Sequence, residues 1–217
     1  MLKHSGVTPV AAFWAADGAR GGSVAGATST TLLARLRDQD AASWRRLTQL
    51  YGPLVYSWCR KQGLQADDAG DVAQEVFRAV AIHIGQFRRD RPGDSFRRWL
   101  KTITANQIRD HWRRKQKEPQ AIGGTEAHIR LSEQPEAEVS DPSQEAAEVN
   151  HVLRQALELV RADFEEATWK AFWQTAVEGR DTADVAAELG LSANAVRIAK
   201  SRVRSRLRQE FGELIEE

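Results

Sequence analysis

From Thr30 onward, apolar residues recur at three- and four-residue intervals, the spacing of one face of an amphipathic helix, and this periodicity limits the chain to helical architectures. Leu32, Leu33 and Leu36, then Trp44, Leu47, Leu50, Tyr51 and Leu54 form the first run, and Asp40 is placed to cap its second helix. Gly52-Pro53 interrupts the pattern without ending the stripe, which Val55, Trp58 and Cys59 carry toward Gly63. A further helix is expected from about Asp67 to Gln86, with Val72, Val76, Phe77, Val80 and Ile84 facing inward. Turn chemistry at Pro92-Gly93 makes Arg88 to Asp94 a loop. Ser95 then starts a long helix in which Phe96, Trp99, Leu100, Ile103, Ile108 and Trp112 sit among Arg97, Arg98, Lys101, Arg109, Arg113, Arg114, Lys115 and Lys117.

Between Glu118 and Glu148 the periodicity fades, and Pro119, Gly123-Gly124, Pro135 and Pro142 are read as breaks in an acidic linker. Helical spacing returns with Val149, Val152, Leu153, Ala156, Leu157 and Val160, then Trp169, Phe172 and Trp173. A net charge of +1 conceals a separation into basic stretches at 88–117 and 197–208 with acid between them. The expected class is therefore all-α: two small helical domains, at 28–117 and 146–217, each with a modest core, joined by a flexible linker at 118–145 and preceded by a disordered leader at 1–27.

Several functions are disfavoured. The single cysteine, Cys59, sits in an apolar helical run, so it offers neither a disulfide framework nor a thiolate zinc site. No stretch approaches the roughly 20 apolar residues of a membrane span, so a soluble chain is expected. Asp67, Asp68, Asp71 and Glu75 could be read as a metal-binding carboxylate cluster, but Asp67 and Asp68 stand where a helix N-terminus favours acid, and no histidine joins them at ligand spacing. Neither a metal nor a cofactor is expected.

Asp181 to Ser192, followed by Ala193-Asn194-Ala195-Val196, has the layout of a helix-turn-helix. Asp181 or Thr182 caps the first helix, Ala186 and Ala187 allow close helix approach, Gly190 can adopt the left-handed turn conformation, and Ser192 caps the second helix. Val196, Ala199, Val203 and Leu207 form its inner face. Asn194, Arg197 and Ser201 are placed to read base edges, while Lys200, Arg202, Arg204, Arg206 and Arg208 suit phosphates. This establishes duplex binding only, which serves a repressor equally well.

The N-terminal half discriminates further. In Asp71 to Phe77, Asp71, Gln74 and Glu75 share one face, an acidic surface suited to a basic protein partner. In Phe96 to Asn106, aromatic and cationic groups are mixed, as in a groove that holds single-stranded bases. These motifs, D-x-x-Q-E-x-F and F-x-x-W-L-x-x-I-x-x-N, with Asp110, Arg113-Arg114 and the Asn194-Ala195-Val196-Arg197 helix after them, resemble the extracytoplasmic-function sigma factors, over about residues 30–117 and 146–212.

The resemblance implies a non-catalytic bacterial, cytoplasmic protein that binds core RNA polymerase and promoter DNA, with an anti-sigma factor as a possible partner. It implies that Asp71, Gln74 and Glu75 dock on the β′ clamp helices, and that the C-terminal domain contacts the β flap. Phe87, the loop to Asp94 and Asn106 would capture a flipped base of the −10 element, beside Trp99, with Arg97, Arg98, Lys101, Arg109, Arg113 and Arg114 holding the backbone. Asn194, Arg197, Ser201 and Arg202 would read the −35 element, with Lys200 and Arg204 on phosphates. Two positions depart from the family pattern. Asp110 has the wrong sign for a phosphate contact and is expected to orient Arg113 or Arg114, and apolar Ile198 suits a thymine methyl. The rival reading is a stand-alone, dimeric helix-turn-helix regulator on a palindrome.

Overall fold

The computed structural model describes residues 32–88, 95–117 and 141–215; the expected leader, most of the loop before Ser95 and most of the linker lie outside them. Within these residues the chain is helical throughout: α1 (Leu32–Arg37), α2 (Ala41–Lys61), α3 (Ala66–His83), α4 (Phe96–Lys117), α5 (Pro142–Arg161), α6 (Glu166–Phe172), α7 (Thr182–Leu189) and α8 (Ala193–Ile215). A 3-10 turn, Ile84–Gln86, follows α3, and a π-helical turn, Trp173–Val177, follows α6.

Local chemistry sets most of these boundaries. Asp40 caps α2, its carboxylate accepting from the Ser43 amide at 2.7 Å and the Ser43 hydroxyl at 2.5 Å. Pro53 lies inside α2 rather than dividing it, and burial of Leu54, Val55 and Trp58 beyond it holds the helix together. Cys59 is fully buried there, and desolvation pushes its thiol up to about 11, which keeps it protonated and inert.

Two sequence expectations change. Pro142 does not belong to the linker: it opens α5, where a proline lacks nothing the first turn needs, and Asp141 caps it by accepting from the Ser143 amide at 3.0 Å. Nor do the two halves keep wholly separate cores. One buried cluster runs from Leu32, Leu50 and Phe96 through Val152 and Leu157 to Phe211 and Leu214, while a small second cluster, Ala171, Val185, Ala186, Val196 and Ala199, belongs to the helix-turn-helix. The merger arises because α5 packs along α2, and α8 reaches past α5 and α6 to touch α1 and α4.

The helix-turn-helix follows its sequence cues closely. Asp181 accepts from the Ala183 amide at 2.7 Å, and Ser192 Oγ accepts from the Ala195 amide at 3.0 Å. Gly190 sits at φ +65 between them, and the Leu191 amide returns to the Ala186 carbonyl at 2.9 Å. A Cβ at Gly190 would meet nothing within 4 Å, so the backbone alone opposes a side chain. Gly190→Ala is expected to cost about 1 kcal/mol, the left-handed penalty of an L-residue, read as a lowered urea midpoint at unchanged slope.

Candidate nucleic-acid interface

The apolar stripe of α3, Val72, Val76 and Val80, is buried, which turns Asp71 and Gln74 outward and leaves Glu75 half-buried, paired with Arg78. Glu75 also shares a shallow cleft with Gln107, Asp110, Arg113 and Arg114 of α4. Asp110 holds Arg113 at 3.3 Å, and the Arg114 Nε donates to the Asp110 carbonyl at 3.4 Å. The acidic side chain thus orients Arg113, whereas Arg114 meets only the backbone at this position. Asp68 binds Lys115 at 2.8 Å and faces His111 at 3.8 Å; among the described residues no group of His, Cys, Asp or Glu is arranged to hold a metal ion.

At the start of α4, Phe96 is 1% exposed and lies among Tyr51 (ring centroids 5.3 Å apart), Phe87 (5.4 Å, edge-on) and Trp99 (5.5 Å). Phe87 is itself buried, its carbonyl accepting from Arg37 at 3.1 Å, so it supports the start of the following loop instead of presenting a ring to solvent. Trp99 is half-buried against it at 5.1 Å. The expected strand-facing set therefore divides. Arg98, Asn106, Arg109, Arg113 and Arg114 are exposed, with Arg109 donating to Asn106 Oδ1 at 2.5 Å. Lys101 is half-buried, and Arg97 is only 3% exposed.

Arg97 departs most from its expected place because α5 carries two carboxylates against this end of α4. Arg97 donates to Glu148 at 2.6 Å and to Glu145 at 3.1 Å, Arg98 to Glu145 at 2.9 Å, and Lys101 to Glu148 at 3.1 Å. Trp58 Nε1 of α2 completes the set, donating to Glu148 at 2.8 Å. Burial by itself raises the Glu148 carboxyl, but the Trp58 hydrogen bond, the Lys101 hydrogen bond and charge, and Arg97 together hold it below its ordinary 4.5. Burial likewise opposes ionisation of Glu145, and Arg98 and Arg97 outweigh it.

A carboxylate whose folded value is depressed adds stability that is complete above its unfolded value and is lost as pH falls through the folded one. The thermal midpoint should therefore fall as pH is lowered from about 5 toward about 3, and Glu145→Gln/Glu148→Gln should shrink that fall. Equal slopes for the two proteins would contradict the assignment.

On α8, Val196, Ala199, Val203 and Leu207 are buried as their spacing requires. Asn194, Arg197, Ser201 and Arg202 are exposed on the opposite side, Ile198 is 43% exposed beside them, and Lys200 and Arg204 are half-buried. Arg206, read from sequence as a phosphate contact, is turned inward: it binds Asp163 at 2.7 Å and Glu210 at 2.5 Å. Glu210, 7% exposed, also receives Arg46 of α2 at 2.5 Å and faces Arg35 of α1 at 3.8 Å, while Tyr51 donates its hydroxyl to the Leu214 carbonyl at 2.6 Å.

Glu145, Glu148 and Glu210 were not singled out as site residues from the sequence. Their signal was a carboxylate standing on an apolar stripe: Glu148 precedes Val152 by one turn, and Glu210 follows Leu207 on the same face as Leu214.

Comparison with known proteins gives a consistent set of likenesses. Residues 47–118 match Sigma-70 region 2. The chain is 27% identical over 177 residues to RNA polymerase sigma factor CnrH of Cupriavidus metallidurans, covering 81% of this chain and 90% of that one. It is 28% identical over 180 residues to RNA polymerase sigma factor CarQ of Myxococcus xanthus, covering 83% and 95%. A solved structure of CnrH in complex with the cytosolic domain of CnrY aligns at 24% identity and a TM-score of 0.33, covering 81% of this chain and 92% of the other.

Proposed function

We propose that this RNA polymerase sigma factor, identified as one by its Sigma-70 region 2 and by its likeness to CnrH and CarQ over most of its length, directs promoter-specific initiation through two separate DNA contacts. Asp71, Gln74 and Glu75 dock on the β′ clamp helices of core polymerase, and the C-terminal part contacts the β flap. Asn106, Arg98, Arg109, Arg113 and Arg114 hold the melted non-template strand of the −10 element, with Arg97, Lys101, Phe87 and Trp99 at the adjoining end of α4. Asn194, Arg197, Ile198, Ser201 and Arg202 read the −35 element in the major groove, and Lys200 and Arg204 hold its phosphates.

The observation that carries this reading is the pairing of two differently built basic helices. α8 presents polar and cationic residues along one exposed side, suited to duplex DNA. α4 combines exposed cations with half-buried Trp99, whose ring stands at the edge of an otherwise buried aromatic cluster, suited to an unstacked base. No catalytic residue is assigned. An anti-sigma protein is a further proposed partner, by analogy with CnrH, which has been solved with the cytosolic domain of CnrY. The site of action is the cytoplasm, where the polymerase works; among the described residues no helix is long and apolar enough to cross a membrane.

Pull-down with core polymerase followed by run-off transcription tests the proposal. A 1:1 complex that initiates from templates carrying two spaced elements is expected. Failure to bind core enzyme, with tight polymerase-independent binding of a palindrome by a dimer, would overturn it in favour of a stand-alone regulator. Asp71→Lys should weaken the complex at least about tenfold while leaving the melting temperature within a few degrees, because its side chain is exposed and surface changes move stability by only about 0.5 kcal/mol.

A further inference from the structure

Building on the sigma-factor reading of α8, we infer that Ile198 makes the upstream duplex contact a reader of 5-methylpyrimidines: it favours thymine and 5-methylcytosine alike over uracil and cytosine.

Val196, Ala199, Val203 and Leu207 bury one side of α8. At about 3.6 residues per turn, Asn194, Ile198 and Ser201 stand roughly half a turn away from that side, and all three are exposed. Arg197 and Arg204 border this strip on one flank and Arg202 on the other, and the helix carries no acidic residue from Ala193 to Gln209. On the proposed reading the strip therefore enters the major groove while the arginines meet the phosphates of its walls. Ile198 sits within the strip, 43% exposed. Among the described residues the large hydrophobic side chains left exposed are Tyr56, Ile82 and Ile198, and only the last lies in the helix-turn-helix. It belongs to neither buried cluster, so its side chain is available to a partner.

In the major groove the 5-methyl is the apolar group of thymine, and 5-methylcytosine carries the same group on the same carbon. The polar edges of the two bases differ, an O4 acceptor against an N4 donor, but an isoleucine side chain has neither donor nor acceptor with which to tell them apart. What it senses is the methyl alone. Covering one methyl group with apolar surface is worth about fourfold in affinity. Asn194 stands one turn earlier on the same strip, and its amide carries the donor and acceptor that pair with adenine, so polar reading and methyl reading fall on adjoining base pairs.

The test uses the full chain with core polymerase. Run-off transcription from templates with a randomised upstream element first defines the sequence selected. Each pyrimidine of that element, on either strand, is then built in four versions: thymine or deoxyuridine opposite adenine, and 5-methylcytosine or cytosine opposite guanine. Affinity of the holoenzyme for each duplex is measured by competition binding. At one position the methyl is expected to tighten binding about fourfold in both the adenine-paired and the guanine-paired duplexes. Ile198→Val should keep most of that gain, and Ile198→Ala should bind methylated and unmethylated duplexes alike. Both variants should keep the parental melting temperature, because the side chain they change is at the surface. A methyl gain at no position, a gain in the adenine-paired duplexes alone, or a gain that persists in Ile198→Ala overturns the inference and leaves the two-element reading standing. Selection of no upstream element defeats that reading and the inference with it.

Discussion

Phe96→Ala should destabilise the folded chain by about 3–5 kcal/mol, the range for deleting a buried aromatic ring, and should do so by more than any surface charge change in the same helix. The ring is 1% exposed and contacts Tyr51, Phe87 and Trp99, so its loss leaves a cavity bounded by three rigid rings that cannot collapse into it. Phe96→Leu, which restores most of the volume, should cost less, about 1.5 kcal/mol or below. Urea unfolding followed by tryptophan fluorescence reads both. A loss below about 1 kcal/mol for Phe96→Ala would mean that the cluster repacks freely and does not set the start of α4. Since Phe87 and Trp99 rest on this ring, the same variant should weaken capture of single-stranded DNA even at temperatures where it is fully folded.

The second large effect concerns Arg97 and Glu148, whose side chains are each 4% exposed. Arg97→Met leaves Glu148 with Lys101 and Trp58, and Glu148→Leu takes from Arg97 its 2.6 Å partner. Stranding one member of a buried ion pair costs about 3–5 kcal/mol, whereas replacing both by apolar groups of similar size is often close to neutral. The double variant Arg97→Met/Glu148→Leu should therefore be more stable than either single one, with a coupling of about 1–3 kcal/mol in the double-mutant cycle. Additive losses would show that the pair contributes through packing alone.

Helix positions and inner faces were legible because they depend on local spacing: Val196, Ala199, Val203 and Leu207 are buried together, and the caps Asp40, Asp181 and Ser192 serve the amides expected of them. Pro142 was misread because a proline that breaks a helix interior also suits a helix start, and only the Asp141 cap distinguishes the two. The burial of Arg97 was not legible, since its partners lie 48 and 51 residues away beyond a stretch without periodicity. Basic residues on a helix announce an anionic partner but not whether that partner is nucleic acid or the chain's own glutamates. That one buried cluster takes in residues of both halves was not legible either, because composition shifts mark linkers without saying how the parts they join will pack.

α8 carries the side chains proposed to read bases near Asn194 and Arg197, and its anchoring side chains, Glu210, Phe211 and Leu214, at the far end. A helix of 23 residues is a stiff rod about 35 Å long, at about 1.5 Å per residue. Rotating one end swings the other, so on the proposed reading a tilt imposed at a DNA groove is carried along the helix to its contacts with α1 and α2. A promoter whose upstream element fits poorly would then apply less torque to the anchored end, and the quality of one DNA sequence would be felt at a strand-binding surface on another part of the molecule.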